Sequence, residues 1–358
     1  MNKTYIIAEA GVNHNGSLEM AKELVKVAKE AGADAVKFQT FKAENLVTKQ
    51  AKQADYQVKN LGEATSQFEM LKKLELSYEE FENLQAFCQA ENIEFLSTPF
   101  DFESVDFLLN KLGVEIVKIP SGELTNAPFI HYMATRRKPI ILSTGMATIE
   151  EIHDALAFIA YGLAKPSEVV TVEFVQQFYK TEQAKNVLQQ YVTLLHCTTQ
   201  YPTPPTSINL NAMNEIKRVF QLAVGLSDHS KGIHIPLAAV SMGAMVIEKH
   251  FTLDKTLEGP DHIASLNPEE LKQMIEGIRE VEQALGDGIK QPTTTELQNL
   301  IPVRKSLVAK KPINIGEVFT VNNMTVKRPG SGISPSKYWS YIGKMASKPY
   351  DEDELIDE

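Results

Sequence analysis

The stretch QLAVGLSDHSKGIHIPLAAVSMGAMVIEKH, residues 221–250, decides the fold. It opens on an apolar run of strand length, 221–226 (QLAVGL), and ends on another, 244–248 (AMVIE), with a polar turn and a helix-length segment between them. Such a strand–helix–strand unit is parallel, because the helical crossover carries the chain back to the end where it started. Outward from this unit the same alternation recurs at residues 5–9 (YIIAE), 35–39 (AVKFQ), 93–97 (IEFLS), 115–119 (EIVKI), 139–143 (PIILS) and 191–196 (YVTLLH), making eight strands. The intervening segments read as amphipathic helices. In the first, Leu18, Ala21, Leu24, Val25 and Ala28 share one face and Gly32 supplies the stop. Eight such alternations over roughly 285 residues predict an α/β fold, a (β/α)8 TIM barrel over residues 1–285. An open doubly wound sheet is the other fold this pattern allows.

Beyond the barrel, Gly286-Asp287-Gly288 and Gln291-Pro292-Thr293-Thr294-Thr295 lose apolar periodicity, so residues 286–300 read as a linker. Residues 301–358 combine strand-like pieces, Gly/Pro turns and a helical patch near Lys337–Ile342. They predict a small α+β module, near the lower size limit for independent stability and therefore in need of a docking surface. Two connections exceed what a minimal barrel requires. Residues 40–76, polar and rich in Lys and Gln, are expected to form a lid over the barrel mouth. Residues 161–190 precede the sixth strand, away from the expected active face, and Val172, Val175, Phe178 and Tyr179 there predict an added helix with a structural or interface role.

Composition narrows the function. Of 358 residues, 36 are Lys or Arg and 46 are Asp or Glu, a net charge of -10 that repels nucleic acid in the absence of a basic stripe, and none is visible. The two cysteines, Cys88 and Cys197, read as buried thiols in a reducing compartment rather than a disulfide. Tyr5-Ile6-Ile7-Ala8 is too short for a signal-peptide apolar region, and no run approaches the roughly 18 apolar residues of a membrane span. A cytoplasmic protein without membrane or nucleic-acid partners is expected.

In a parallel barrel the C-terminal strand ends share one face, and that face carries the chemistry. The residues there are Glu9, Lys37, Gln39, Ser97, Thr98, Lys118, Ser121, Glu123, Ser143, Thr144, His196, Thr198, Ser227, Asp228, His229, Glu248 and His250, nearly all polar or ionisable. Lys37 and Lys118 interrupt apolar strands, where an unpaired ammonium is costly to bury. Each is either salt-bridged to a carboxylate or part of an anion clamp. Ser–Gly neighbours in Pro120-Ser121-Gly122-Glu123, Leu142-Ser143-Thr144-Gly145 and Gly225-Leu226-Ser227 would add hydroxyls and backbone N–H groups around such an anion.

His229 and His250 end consecutive strands, which lie roughly 5 Å apart, so both imidazoles can reach one ion and leave positions open for substrate. Their other reading is a pair of hydrogen-bonded histidines. Glu9 stands alone in an apolar strand, where burial would suit it to proton transfer or pair it with a barrel lysine. His14, in Gly11-Val12-Asn13-His14-Asn15-Gly16, belongs to a loop at the active face, whereas His131, His153 and His234 fall in predicted helices.

The series IIAEAGVNHNG, AVKFQTFKAENL, FLSTPFD, KIPSGE, ILSTGMAT, LLHCTTQYPTP, VGLSDHS, IEKHFTLDK and GPDHIAS resembles the sialic acid synthase family across nearly the whole chain. The closing RKSLVAKKPINIGEVFTVNNMTVKRPGSGISP resembles that family's antifreeze-like (SAF) module. The resemblance implies condensation of phosphoenolpyruvate with an open-chain N-acyl hexosamine to a nine-carbon 2-keto acid, with release of phosphate. It implies Mn2+, or Mg2+ or Co2+, on His229 and His250. It also implies phosphoenolpyruvate on Lys37, Lys118, Ser121, Ser143 and Ser227, the sugar on Gln39, Glu123, Tyr201 and Asp261, and Glu9 as the catalytic carboxylate. Arg328 resembles an arginine that reaches the sugar site of the other subunit in a domain-swapped homodimer.

N-acetylmannosamine giving N-acetylneuraminate is the first expectation, with a diacetylated 6-deoxy sugar giving diacetyllegionaminate close behind. Thr199 and Gln200 depart from some neuraminate-forming members, and IPSGE and GPDH fit a pseudaminate-forming branch poorly. A metal-dependent sugar aldolase or isomerase is the more remote alternative.

Overall fold

Eight short apolar segments with polar ends build one parallel sheet. They are β1 (Tyr5–Gly11), β2 (Ala35–Thr40), β3 (Glu94–Pro99), β4 (Val117–Ile119), β5 (Ile140–Ser143), β6 (Val192–Cys197), β7 (Ala223–Asp228) and β8 (Val246–His250). The structure, a computed structural model, describes residues 3–54, 58 and 66–357. Strand order is β3-β2-β1-β8-β7-β6-β5-β4, every ladder is parallel, and the two end strands β3 and β4 lie against each other. The sheet thus curls into a near-closed TIM-type barrel, not an open doubly wound sheet. Arg279 ties the last barrel helix (Pro268–Ala284) to the starts of β1 and β2, donating to the Thr4 carbonyl at 2.8 Å and to Asp34 at 2.8 Å.

Several strands run past the point where their apolar runs stop. The expected ends at residues 226 and 248 become Asp228 and His250, with ladder pairs Ser227↔Glu248, Asp228↔Lys249 and Glu9↔His250. The backbone ladder does not require apolar side chains, only partners for the polar ones, and here the polar side chains partner one another. At the other end β4 begins at Val117, because Glu115 turns outward to pair with Lys138 at 2.7 Å.

The crossover helices start and stop where their caps dictate. Ser17 accepts from the Met20 N–H to begin Leu18–Ala31, and Gly32, left-handed at φ 88°, ends it. Reciprocal Ser/Thr/Asn–Glu caps begin the helices Tyr78–Ala90, Ile149–Ala164 and Pro268–Ala284. Residues 161–190 hold two added helices, Val172–Tyr179 and Glu182–Tyr191. Val175 and Phe178 are buried there and the Tyr179 hydroxyl meets His153 Nδ1 at 2.7 Å, while Val172 points to solvent. Within the expected lid, residues 55–57 and 59–65 lie outside the described residues. On either side are short helices Ala43–Leu46 and Gln67–Leu74, joined by a Lys72–Glu44 ion pair at 3.0 Å.

The chain divides into two compact units, residues 1–286 and 287–358. In the second, β9 (Ser306–Ala309) pairs antiparallel with β10 (Met324–Lys327) around a core of Leu307, Ile313, Phe319, Met324, Tyr350 and Ile356. The stretch expected to be a structureless linker carries a short helix, Thr294–Gln298. Its cap is reciprocal, Thr293 with Glu296, and that Thr-x-x-Glu spacing was a readable signal.

Candidate active site

Register alone brings the chemistry together. Glu9 on β1 is level with Lys37 on β2 and His250 on β8, and one level deeper Ser227 on β7 faces Glu248 on β8. Side chains two apart on a strand share a face, so Glu248 and His250 both point into the barrel mouth. A pocket there is lined by Glu9, Lys37, Gln39, Lys118, Ser121, Ser143, Tyr201, Ser227, His229, Glu248 and His250, together with Thr98, Phe100, Pro120, Gly122, Cys197 and Thr199.

Its floor is a buried tetrad of two ammoniums and two carboxylates. Lys37 Nζ lies 2.7 Å from Glu9 Oε2, an ion pair rather than a well-aligned hydrogen bond, and 3.5 Å from Glu248. Lys118 Nζ lies 3.5 Å from Glu248 Oε1, which also accepts from Ser227 Oγ at 2.8 Å. Hydroxyls complete the two lysines: Lys37 donates to Thr98 Oγ1 at 3.0 Å and Lys118 to Ser143 Oγ at 2.9 Å. Both lysines are therefore salt-bridged, which is the first of the two readings open from sequence, and they lie side by side around Glu248.

Burial raises the Glu9 carboxyl to about 7, with Lys37 pulling it down and Glu248 pushing it up. At Glu248 burial acts in the same upward direction, but Lys118, Lys37 and the Ser227 hydroxyl outweigh it and hold the group ionised. Burial also lowers Lys118, whereas at Lys37 the attraction of Glu248 and Glu9 overcomes burial. When Glu9 takes up its proton the floor loses one of its two carboxylates and becomes less negative, which favours an anion.

Above this floor stand the imidazoles. Burial pushes His229 down to about 4 and His250 well below its usual value, so both rings are neutral at pH 7. The ring centroids are 5.4 Å apart, and Tyr201 packs against both. His229 Nδ1 donates to the Thr198 carbonyl, which fixes the tautomer and leaves the Nε2 lone pair available. His250 Nδ1 is buried with no hydrogen-bond partner among the described residues. Two neutral, oriented imidazoles, one with an orphaned nitrogen, fit a divalent ion. No group of three or more His, Cys, Asp or Glu side chains converges as a metal site among the described residues, so the remaining positions would fall to water or substrate.

The structure thus assembles Glu9, Lys37, Gln39, Lys118, Ser121, Ser143, Tyr201, Ser227, His229 and His250 in one pocket. Glu123 and Asp261 are not among its lining residues. Glu123 is half-buried at the end of a 3-10 turn and accepts from Asn126 at 2.7 Å. Asp261 is buried, its carboxyl pushed up to about 6 by burial. Arg328 is exposed in the second unit, where Nε donates to the Val303 carbonyl at 3.0 Å. His14 is buried in the loop after β1 and does not line the pocket.

One expected N–H donor is already committed, and a second glycine lies inside a strand. The Gly145 N–H donates to Ser121 Oγ at 2.9 Å, and Gly225 is embedded in β7, where an added Cβ would lie 2.3 Å from the Val246 carbonyl. From sequence, Glu248 was one strand-end residue among many. Its spacing of two from His250 was the signal that it shares the pocket. Phe100, Pro120 and Cys197 enter the pocket from positions that sequence did not single out.

A parallel barrel with a buried lysine–carboxylate floor, hydroxyls and paired neutral histidines at its strand ends is built as a barrel enzyme acting on an anionic substrate. Residues 24–290 match the NeuB family and residues 304–358 match the SAF domain. An N,N'-diacetyllegionaminic acid synthase of Campylobacter jejuni is 52% identical over all of both chains. One of Legionella pneumophila is 46% identical over 96% of this chain and 90% of the relative. The crystal structure of an N-acetylneuraminic acid synthetase from Leptospira borgpetersenii in complex with citrate superposes with a TM-score of 0.66 at 32% identity, covering 83% of this chain and 90% of that one.

The chain belongs to the NeuB family. It is an enzyme, a synthase that condenses phosphoenolpyruvate with a sugar.

Proposed function

We propose that this synthase joins phosphoenolpyruvate to the open-chain aldehyde of 2,4-diacetamido-2,4,6-trideoxymannose, releasing phosphate and N,N'-diacetyllegionaminic acid. The observation that carries the reaction is the meeting of Lys37, Lys118, Ser121, Ser143 and Ser227 with two neutral imidazoles at one end of the barrel. The sugar is supported by the Campylobacter and Legionella relatives, at 52% and 46% identity. N-acetylmannosamine, the first expectation from the motifs, becomes the competing substrate, favoured by the likeness to the Leptospira synthetase at 32% identity.

Lys37 and Lys118 neutralise the phosphate and carboxylate of phosphoenolpyruvate, and the Ser121 and Ser143 hydroxyls donate to the same oxygens, joined by Ser227 once its hydroxyl turns from Glu248. Glu248 stays ionised and balances the two ammoniums while the pocket is without substrate. His229 and His250 would hold the divalent ion, which when bound supplies Lewis-acid polarisation of the aldehyde oxygen. Carbon 3 of phosphoenolpyruvate attacks the aldehyde carbon and forms the new C–C bond. Water then adds at carbon 2, and its hydroxyl becomes the keto group as phosphate leaves by cleavage of the bond between carbon 2 and its oxygen and carries off the hydroxyl proton. Glu9 gives a proton to the forming hydroxyl and regains one from the attacking water, a role supported by its raised carboxyl.

Gln39, Tyr201, Glu123 and Asp261 are assigned to the sugar. Arg328 is assigned to the sugar site of a partner subunit in a domain-swapped homodimer, a role consistent with its exposed position. Free, buried Cys88 and Cys197 support a reducing compartment, the cytoplasm. No helix among the described residues is long and apolar enough to cross a membrane.

The deciding assay supplies phosphoenolpyruvate, Mn2+ and either sugar, and follows phosphate release with mass spectrometry of the product. The diacetamido trideoxy sugar is expected to give the higher kcat/KM and the diacetyllegionaminate mass. A preference for N-acetylmannosamine would reassign the product to N-acetylneuraminate, and phosphate release without any sugar would overturn the condensation itself.

A further inference from the structure

The outer face of β7 and β8 is apolar, through Val224, Leu226 and Ile247, until the last ladder pair, Asp228↔Lys249. There a carboxylate and an ammonium are buried together on the side of the strands opposite the pocket, Asp228 at 3% and Lys249 at 1% exposure. An apolar pair of similar volume would serve stability as well or better, since the desolvation of two charges offsets much of their attraction. The ion pair therefore calls for another reason.

Its hydrogen bonds supply one. Lys249 Nζ donates both to Asp228 Oδ2 and to the Ser230 carbonyl, so it grips the chain on either side of His229. Asp228 closes the same turn, with Oδ1 accepting from the Ser230 N–H at 3.0 Å and Oδ2 from Ser230 Oγ at 2.9 Å. His229 lies one residue beyond the last residue of β7, where the strand ladder no longer holds it. Lys249 is itself the residue before His250. One buried side chain on β8 thus indexes the turn that carries one imidazole to the backbone that carries the other. A second tie comes from the loop after β6, where the Thr203 N–H donates to the His229 carbonyl at 2.8 Å.

We propose that Lys249, through Asp228 and Ser230, is a positioning residue that sets the separation and aim of His229 and His250. This rests on reading those histidines as the ligands of the divalent ion. Neither Lys249 nor Asp228 lines the pocket, so their effect on the ion is exerted through the backbone.

The test is titration of Mn2+ into the metal-stripped full chain, with free Mn2+ read by electron paramagnetic resonance. Lys249→Met is expected to weaken Mn2+ binding by about 10–100-fold, the range typical when a residue that orients a ligand is lost. Because Lys249→Met leaves Asp228 buried without its counter-charge, the double variant Asp228→Asn/Lys249→Met is measured beside it. That protein should regain thermal stability but not Mn2+ affinity, a separation that a merely structural ion pair would not produce. Mn2+ binding by the double variant within about twofold of the unaltered chain would overturn the proposal, and so would failure of both variants to fold. His250→Ala is the control for the underlying reading: retained Mn2+ affinity in that variant refutes the ligand assignment, whereas loss there with no change in the double variant refutes the Lys249 role alone.

Discussion

At His14 the imidazole is buried in the loop after β1, with Nδ1 accepting from the Gly16 N–H at 3.1 Å and Nε2 unpartnered among the described residues. Burial lowers this group to about 4 from an ordinary value of 6.5. Between those two values the unfolded chain holds a proton that the folded chain lacks, so stability is lost as pH falls from 6.5 through 4. Full titration of this one residue costs up to about 3 kcal/mol. Urea unfolding followed from pH 7 to pH 4 should steepen in that window, and His14→Gln should reduce the slope by close to one proton. An unchanged slope would remove His14 from the acid transition. The spacing of His14 in a Gly/Asn-rich loop was legible, but its burial was not: Phe38, whose ring centroid is 6.1 Å away, is distant from the loop in sequence.

Among the elements, β7 is the most tightly constrained. Gly225 sits between β6 and β8, where a Cβ would meet the Val246 carbonyl at 2.3 Å, Leu195 Cδ2 at 2.7 Å and Val246 Cβ at 2.9 Å. Backbone and two fully packed side chains leave no direction in which to yield. Gly225→Ala is expected to destabilise the barrel by roughly 1–3 kcal/mol through overpacking. The midpoint of chemical unfolding reads this directly, and a variant as stable as the parent would show that β6 and β8 can part at that level. From sequence, Gly225 falls inside the strand 221–226 and offers a backbone N–H to an anion, while the close approach of β8 that excludes a side chain there is not legible. The strand ends were misplaced for a related reason. Ser227, Asp228, Lys249 and His250 follow the apolar runs, so how far the ladder extends through them is not legible until their partners across it are known.

For the whole molecule, the homodimer reading makes Arg328 and His250 parts of one site supplied by two chains. Arg328→Ala and His250→Ala should each lose turnover as pure dimers. When the two are unfolded and refolded together, the mixed dimers combine an intact barrel from the first with an intact arginine from the second, and turnover should return. Mixed dimers that stay inactive, verified by differential tagging, would place Arg328 in the service of its own barrel or outside the site altogether.

Sequence by itself determined the alternation of eight parallel strands with helices, for which a barrel was the first expectation, and brought most of the pocket-lining residues to one end of it. Strand-length apolar runs alternating with amphipathic helices have few closed solutions, and in a parallel barrel the strand ends converge on one face whatever the loops do. That constraint made Lys37, Lys118, His229 and His250 readable as neighbours before any coordinate was known. Tertiary structure alone decided how these groups share charge. Whether Lys37 faces Glu9 or Glu248, why Glu248 stays ionised while Glu9 rises, and that Lys249 reaches around His229 all depend on separations of a few ångströms between strands far apart in the chain. Electrostatic energies in a buried site change steeply over such distances, and residue spacing along a sequence does not encode them.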